Sequence, residues 1–350
     1  RREKIIFPVN LVLLFLGLYF GFGTSDLGAT TKEVQYMASN GNIEETTITK
    51  EEFRTIVPIF NFTSKTKDST LAWMGNGIAG ILFYDLFQDK NISPDWEYAE
   101  NTTDKVIAAS LTAPFYVDGS YDKNGEVYSV ETVIRSSKNG AIESQKTFEG
   151  TDLLDLLDTI SVYIRTEVGS SSENSMKYLD LDVKEFMSNS LAALEDFFNE
   201  DYDSAIAKDS TFALAYLRNS RRNIYYSVGK FEEQNLAEKA FELRDKLPYD
   251  QQMEAMALRY LAYDKYDEAK KLVQMQLEIS PQNNFLKSLL NNIYGETKDV
   301  DSYFSSAEKQ FNAEKSEYNL MTIANASLAK GEYDRYIKMV DLYTSISPNN

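Results

Sequence analysis

At 350 residues with 43% hydrophobic content, the chain is long enough to build two or three domains with real cores. Its 54 Asp and Glu against 36 Lys and Arg give a formal charge of -18, which opposes binding to nucleic acid or to an anionic lipid surface. It contains no Cys and no His, which removes disulfides, thiol chemistry, Cys/His zinc sites, histidine bases and a lipidated cysteine.

In chain order, the first feature is Ile5 to Ser25, 21 residues without a charge. At ~1.5 Å per helical residue the run matches a bilayer core, so it reads as one membrane-spanning helix. A cleaved signal peptide and a buried core helix are the alternatives. The run is longer than a usual signal-peptide core, lacks a small-residue cleavage site and has no polar face. Arg1, Arg2 and Lys4 mark residues 1–4 as a cytoplasmic stub and place 26–350 on the periplasmic side of an inner membrane. The chain opens at Arg1 and breaks off at Asn350, and is read as a piece of a longer protein.

Residues 26–52 are polar, Thr-rich and acidic, and read as a juxtamembrane linker. From Thr55 the run TIVPIFNF has strand length and β-rich composition, and LAWMGNGIAGILFYDLFQD has apolar residues at helical spacing, so an α/β domain begins. A short strand is expected between Ile92 and Tyr98, and a helix over 103–111 capped by Thr103 or Asp104. Asn124-Gly125 and Asn139-Gly140, each flanked by alternating apolar and polar residues, predict two hairpins and three antiparallel strands. Thr151-Asp152 caps an amphipathic helix that ends at Gly169, and Ser170 opens a linker over 170–175 that closes a domain of residues 53–169.

Over 176–350 only helical segments with short breaks are visible, and they repeat. Tyr266-Asp267 followed by Ile279-Ser280-Pro281 recurs as Tyr333-Asp334 followed by Ile346-Ser347-Pro348, 67 residues on. That is close to twice the ~34-residue period of a helix-pair repeat, with a weaker unit at Val300 between and further starts near Asp201 and Gly229. This half is expected to be an α-solenoid of four or five helix pairs.

The segments TIVPIFNFT, LAWMGNGIAGILFYDLFQDKNISP, APFYVDGSYDKNGEVY and LLDLLDTISVYIRTEV together resemble the TolB-like N-terminal domain. The segments NEDYDSAIAKDSTFALAYLRNS and YDEAKKLVQMQLEISPQNN resemble the tetratricopeptide (TPR) arrays that often follow it. The likeness runs from about Thr55 to Asn350. Gly75-Asn76-Gly77 stands where that family usually has an acidic residue before Gly, and repeat consensus positions are sparse. The resemblance implies a bacterial architecture of cytoplasmic output domain, single span, TolB-like domain and repeats. The output domain would be a Ser/Thr kinase, a nucleotide cyclase or a DNA-binding regulator lying upstream of Arg1.

Gly75, Gly77 and Gly80 spell G-x-G-x-x-G with Asp95 twenty residues beyond the first, the outline of a dinucleotide fingerprint. Thr63 to Met74 separate strand from glycine, which favours close helix packing on a sheet instead. Ser120, Asp122, Asn124, Gly125 and Glu131 fit positions 1, 3, 5, 6 and 12 of a calcium loop, but their flanks read as strands. Paired acids such as Glu44-Glu45, Glu51-Glu52 and Asp180-Asp182 are explained by solvation and helix-dipole stabilisation. Arg218, Arg221, Arg222, Tyr225 and Tyr226 gather positive charge and aromatic rings on one helix of an acidic protein. They suit either a carboxylate or acidic peptide partner, or a solvated face that balances nearby acids.

The fold expected is α+β, a small mixed-sheet domain followed by an all-α TPR-like solenoid, with one N-terminal transmembrane helix. The function expected is a non-catalytic, membrane-anchored interaction module with a protein or peptide in the solenoid groove, a possible homodimer through the span, no nucleic-acid partner, no cofactor and no metal. An envelope scaffold without signalling and an enzyme in the α/β domain are the alternatives.

Overall fold

The computed structural model describes residues 30–346 apart from 38–42, 51–52, 90, 98–100, 111, 170–180, 227–229 and 282. The 5–25 run read as a membrane span, the 1–4 stub and the 170–175 linker lie outside the described residues. Among the described residues no helix is long and apolar enough to cross a membrane.

The stretch 26–52, expected to be an irregular linker, carries an antiparallel hairpin: β1 (Thr31–Met37) pairs β2 (Ile43–Thr49), Thr31 opposite Thr49 and Met37 opposite Ile43. Both strands mix β-branched with charged or amide residues without strict alternation, so their pattern shows little apolar contrast and reads as linker.

The main sheet has strand order β5-β3-β6-β7-β8, with β4 (Thr63–Ser64) beside β6. Strands β3 (Thr55–Phe60) and β5 (Ile92–Glu97) run parallel, as do β3 and β6 (Phe115–Asn124), whereas β7 (Val127–Ser136) and β8 (Ile142–Gly150) continue antiparallel. Asn124 lies opposite Val127, so the two-residue hairpin loop is Gly125-Glu126 rather than Asn-Gly. Gly125 takes φ 62, the left-handed value a glycine supplies at the first loop position. Side-chain alternation along the strands divides the core. Val57, Ile59, Val117 and Tyr121 face α1 (Met74–Leu86) and α3 (Leu153–Glu167), while Phe60 and Tyr116 meet Ala109 of α2 (Thr102–Ser110) in a separate cluster. The α2 cap is Asn101, whose Oδ1 accepts the Asp104 N–H at 3.0 Å, two or three residues before the expected cap. Asp152 caps α3 as expected, accepting from the N–H groups of Leu154 and Asp155.

Beyond α4 (Val183–Phe186) the chain is helical to its described end. Five successive helix pairs follow: α5 (Leu191–Phe198) and α6 (Tyr202–Lys208), α7 (Ala213–Tyr226) and α8 (Lys230–Glu242), α9 (Tyr249–Ala262) and α10 (Tyr266–Ile279), α11 (Asn284–Glu296) and α12 (Val300–Ala313), α13 (Glu317–Lys330) and α14 (Tyr333–Ile346). The second helices of the last three pairs start at Tyr266, Val300 and Tyr333, intervals of 34 and 33 residues. Each of the four described turns within pairs places one left-handed residue two positions before the second helix: Glu200 (φ 62), Asp264 (φ 58), Lys298 (φ 55) and Gly331 (φ 81). The repeat is thus conformational where its sequence consensus is thin.

One continuous core runs from the inner face of the sheet through α1 and α3 into α5, α7, α9 and α11. The Phe198 ring at the end of α5 stacks 6.4 Å from Trp73 and meets Trp96 edge-on at 6.0 Å. Gly77 and Gly80 of α1 lie under these rings; a Cβ on Gly80 would sit 2.8 Å from Trp96 and overlap Phe198. Their glycine character is required by packing against the first helix pair. Gly75 alone packs against the sheet side, where its carbonyl accepts the Phe62 N–H at 3.0 Å. On the other side, Lys32 of β1 forms an ion pair with Glu278 of α10, which ties the hairpin to the repeats.

Candidate functional site

Helix α7 buries Ala213, Leu214, Ala215 and Leu217, and this packing directs the side chains of 218 and 221 toward α1, α9 and α11 and that of 222 toward α6. The three arginines have different surroundings. Arg222 is the most engaged: Nη2 donates to Asn219 Oδ1 at 2.8 Å and to Asp203 Oδ2 at 3.3 Å, Nη1 donates to the Glu200 carbonyl at 3.2 Å, and the guanidinium lies 5.1 Å from the Tyr202 ring centre. It clips α7 to the preceding left-handed turn.

Arg218 and Arg221 are spent much less. Arg218 lies over the Tyr84 ring of α1 at 5.3 Å, and its buried Nε has no hydrogen-bond partner. Arg221 lies over Phe285 of α11, 3.5 Å from the ring centre, and its Nη1 is 3.9 Å from Glu254 Oε1, beyond hydrogen-bond reach. Burial, opposed by Glu254 and reinforced by Arg218, pulls the Arg221 guanidinium below its ordinary pKa. Two guanidinium groups thus share one nearby carboxylate in a half-buried setting, an arrangement that costs stability and is commoner where a ligand completes the charge balance. Tyr225 and Tyr226 fall in the last turn of α7, and their side chains lie outside the described residues.

Both arginines line a cavity of about 630 Å³. Its other walls include Tyr202, Phe285, Ser288 and Tyr318, so groups from the first, second, fourth and fifth helix pairs meet at one opening. A smaller cavity of about 150 Å³ lies on the other side of the same two side chains, against Phe83 and Phe87 of α1 and Asp250, Gln251 and Glu254 of α9. The arginine pair is therefore the partition between an outer pocket and an inner chamber, at the junction of the sheet region and the repeats. Tyr84, Phe285 and Glu254, which define this geometry, carry no sequence signal: each lies at least one helix away from α7 and reads as ordinary core or surface.

The remaining sequence candidates resolve differently. The calcium-loop positions 120–131 lie on the β6–β7 hairpin, where Ser120 faces Glu131 across the ladder. Glu131 accepts from Lys65 at 2.7 Å, Ser120 at 2.8 Å and Gln145 at 2.6 Å, and these donors bring its pKa down to about 2. The glycines of the G-x-G-x-x-G run lie within and against α1, under aromatic rings, as described above. Among the described residues no group of three or more acidic side chains is placed to hold a metal ion.

No protein-family model matches the chain, and no curated protein matches it.

Proposed function

We propose that this chain is a binding module whose helix pairs, read as a TPR-like array following a TolB-like domain, hold a protein or peptide through an acidic segment at Arg218 and Arg221. One observation carries the reading: Arg221, over Phe285 at the wall of the 630 Å³ cavity, donates no hydrogen bond to any described residue, and Glu254, its ion-pair partner, stands 3.9 Å away. Guanidinium groups held against an aromatic ring are preorganised for bidentate contact with carboxylates. The proposal includes anchorage of the chain by residues 5–25, with 26–350 outside the cytoplasm and an output domain upstream.

The test is fluorescence anisotropy with labelled Glu/Asp-rich and Lys/Arg-rich peptide pools. Saturable binding of the acidic pool alone, lost in Arg218→Glu with Arg221→Glu and retained in Arg259→Lys, outside the cavity, is expected. Equal retention of both pools, or indifference to the double charge reversal, removes the reading. Carbonate extraction of the chain from membranes tests the anchor separately.

A further inference from the structure

We propose that the inner chamber of about 150 Å³ is a binding site for a small zwitterion, an α-amino acid or a compound of that size carrying an ammonium and a carboxylate on neighbouring atoms. The assignment stands whether or not a peptide occupies the outer pocket.

The chamber's walls carry both signs of charge. Arg218 and Arg221 of α7 stand on one side; Asp250 and Glu254 of α9 stand on the other. Asp250 already has a cationic neighbour, Arg54, at 3.8 Å. Glu254 has none within hydrogen-bond distance, since Arg221 approaches it only to 3.9 Å. Around the chamber three buried acceptors lack a donor: Gln251 Oε1, Glu254 Oε1 and Gln276 Oε1. Gln251 and Gln276 are 6% and 5% exposed, so bulk water does not reach them freely. Gln251 and Glu254 are three residues apart and share a face of α9. The Gln276 amide is oriented by its own nitrogen, which donates to the Asp250 carbonyl at 2.9 Å and leaves the oxygen to another donor.

Native interiors rarely leave such groups unpaired, and a cluster of them is a demand for a particular partner. An ammonium offers three N–H donors and no acceptor, which matches three acceptors of which one is anionic. A carboxylate supplies the acceptors that Arg218 Nε and Arg221 lack. The two requirements lie within one chamber, so a molecule bearing both groups satisfies them together where a simple anion or cation answers half. Ser280 and Asn283 also line the chamber, and Phe83, Phe87 and Leu286 leave an apolar surface for a short side chain.

The experiment is isothermal titration of the full chain with glycine, alanine, serine and leucine, against acetate and methylamine as the two separate halves. Saturable binding of at least one zwitterion, about tenfold or more tighter than either half, is expected. Glu254→Gln and Arg221→Gln are each expected to weaken it about tenfold or more, the usual loss for a hydrogen bond to a charged group. Gln251→Met, of similar volume, gives a smaller loss in a variant whose fold is checked by its melting curve; Arg222→Lys, outside the chamber, leaves binding unchanged. No saturable heat with any zwitterion at tens of millimolar, halves that bind as well as the whole, or binding indifferent to Glu254→Gln and Gln251→Met in folded protein each overturn the proposal and leave water as the content of the chamber.

Discussion

The Arg221 guanidinium lies over the Phe285 ring, its central carbon 3.5 Å from the ring centre, although the two residues stand on helices of different pairs. The contact joins α7 to α11 across the outer pocket and holds the guanidinium plane where its edge N–H groups remain uncommitted. Replacing Arg221 by Lys keeps the charge and loses the guanidinium's contact with the ring. Acidic-peptide affinity is expected to fall about 3- to 30-fold, in line with ~0.5–2 kcal/mol for such contacts. Anisotropy titration against wild type measures it, and an unchanged Kd would show that charge alone suffices.

The glycine pair of α1 is expected to report on the junction between sheet and repeats. Gly80→Ala places a methyl group into Phe198 and Trp96, an overpacking cost of ~1–3 kcal/mol in urea unfolding. Gly80→Ala combined with Phe198→Ala is expected to be less destabilising than the sum of the two single changes, because the second removes the ring that the first strikes. Strict additivity would contradict the packing described.

The left-handed turns predict opposite signs at equivalent positions. Lys298 holds φ 55 without being glycine, and Lys298→Gly is expected to gain up to ~1 kcal/mol; Gly331→Ala, at φ 81, is expected to lose about the same. Thermal melts of the two variants decide it, and matching signs would refute the equivalence of the turns.

The sheet region carries a buried ionic triad, with Asp118 between Lys105 Nζ at 3.2 Å and Arg135 Nε at 2.9 Å. Asp118→Ala leaves Lys105, 6% exposed, without its counter-ion and is expected to cost ~3–5 kcal/mol. A loss below ~1 kcal/mol in denaturant titration would mean that the ion pair is not what holds Lys105 in place.

Asp158 of α3 accepts the Val183 N–H at 2.8 Å where α4 docks on the sheet region. Burial raises its pKa from 3.8 to about 6, against the pull of that hydrogen bond and with the help of Asp85, Asp182 and Asp155. The folded chain therefore holds a proton that the unfolded chain has released between about pH 4 and 6. This contribution to stability is full below 3.8 and is lost as pH rises through 6. Asp158→Asn retains an oxygen for Val183 and removes the titration, so the variant's stability relative to wild type is expected to rise from pH 4 to pH 7. Urea midpoints at the two pH values check it; a constant difference would place the ionisation elsewhere.

Local signals were legible where one element sufficed to generate them. The Asp152 cap, the antiparallel strands and the 33- to 34-residue interval all follow from neighbours within a few turns. Hairpin β1–β2 was not legible, because strands that mix Thr and charged residues out of period lack the apolar contrast that marks a strand. For the arginine cluster the sequence placed all three arginines on one helix and could not separate them: the turn at Glu200 captures Arg222, whereas Tyr84, Phe285 and Glu254 set Arg218 and Arg221 apart.

By itself the sequence determined a mixed α and β region followed by paired helices, an acidic surface, and a chemistry without thiols or imidazoles. Those properties depend on composition and on periods of 2, 3.6 and about 34 residues, which a chain displays in one dimension. Tertiary structure decided that the G-x-G-x-x-G run is a seat for Phe198, that one arginine of three is a structural clip, and that the other two divide an outer pocket from an inner chamber. Each of these depends on which distant side chain arrives beside a given residue, and such meetings are set by the packing of helices against one another.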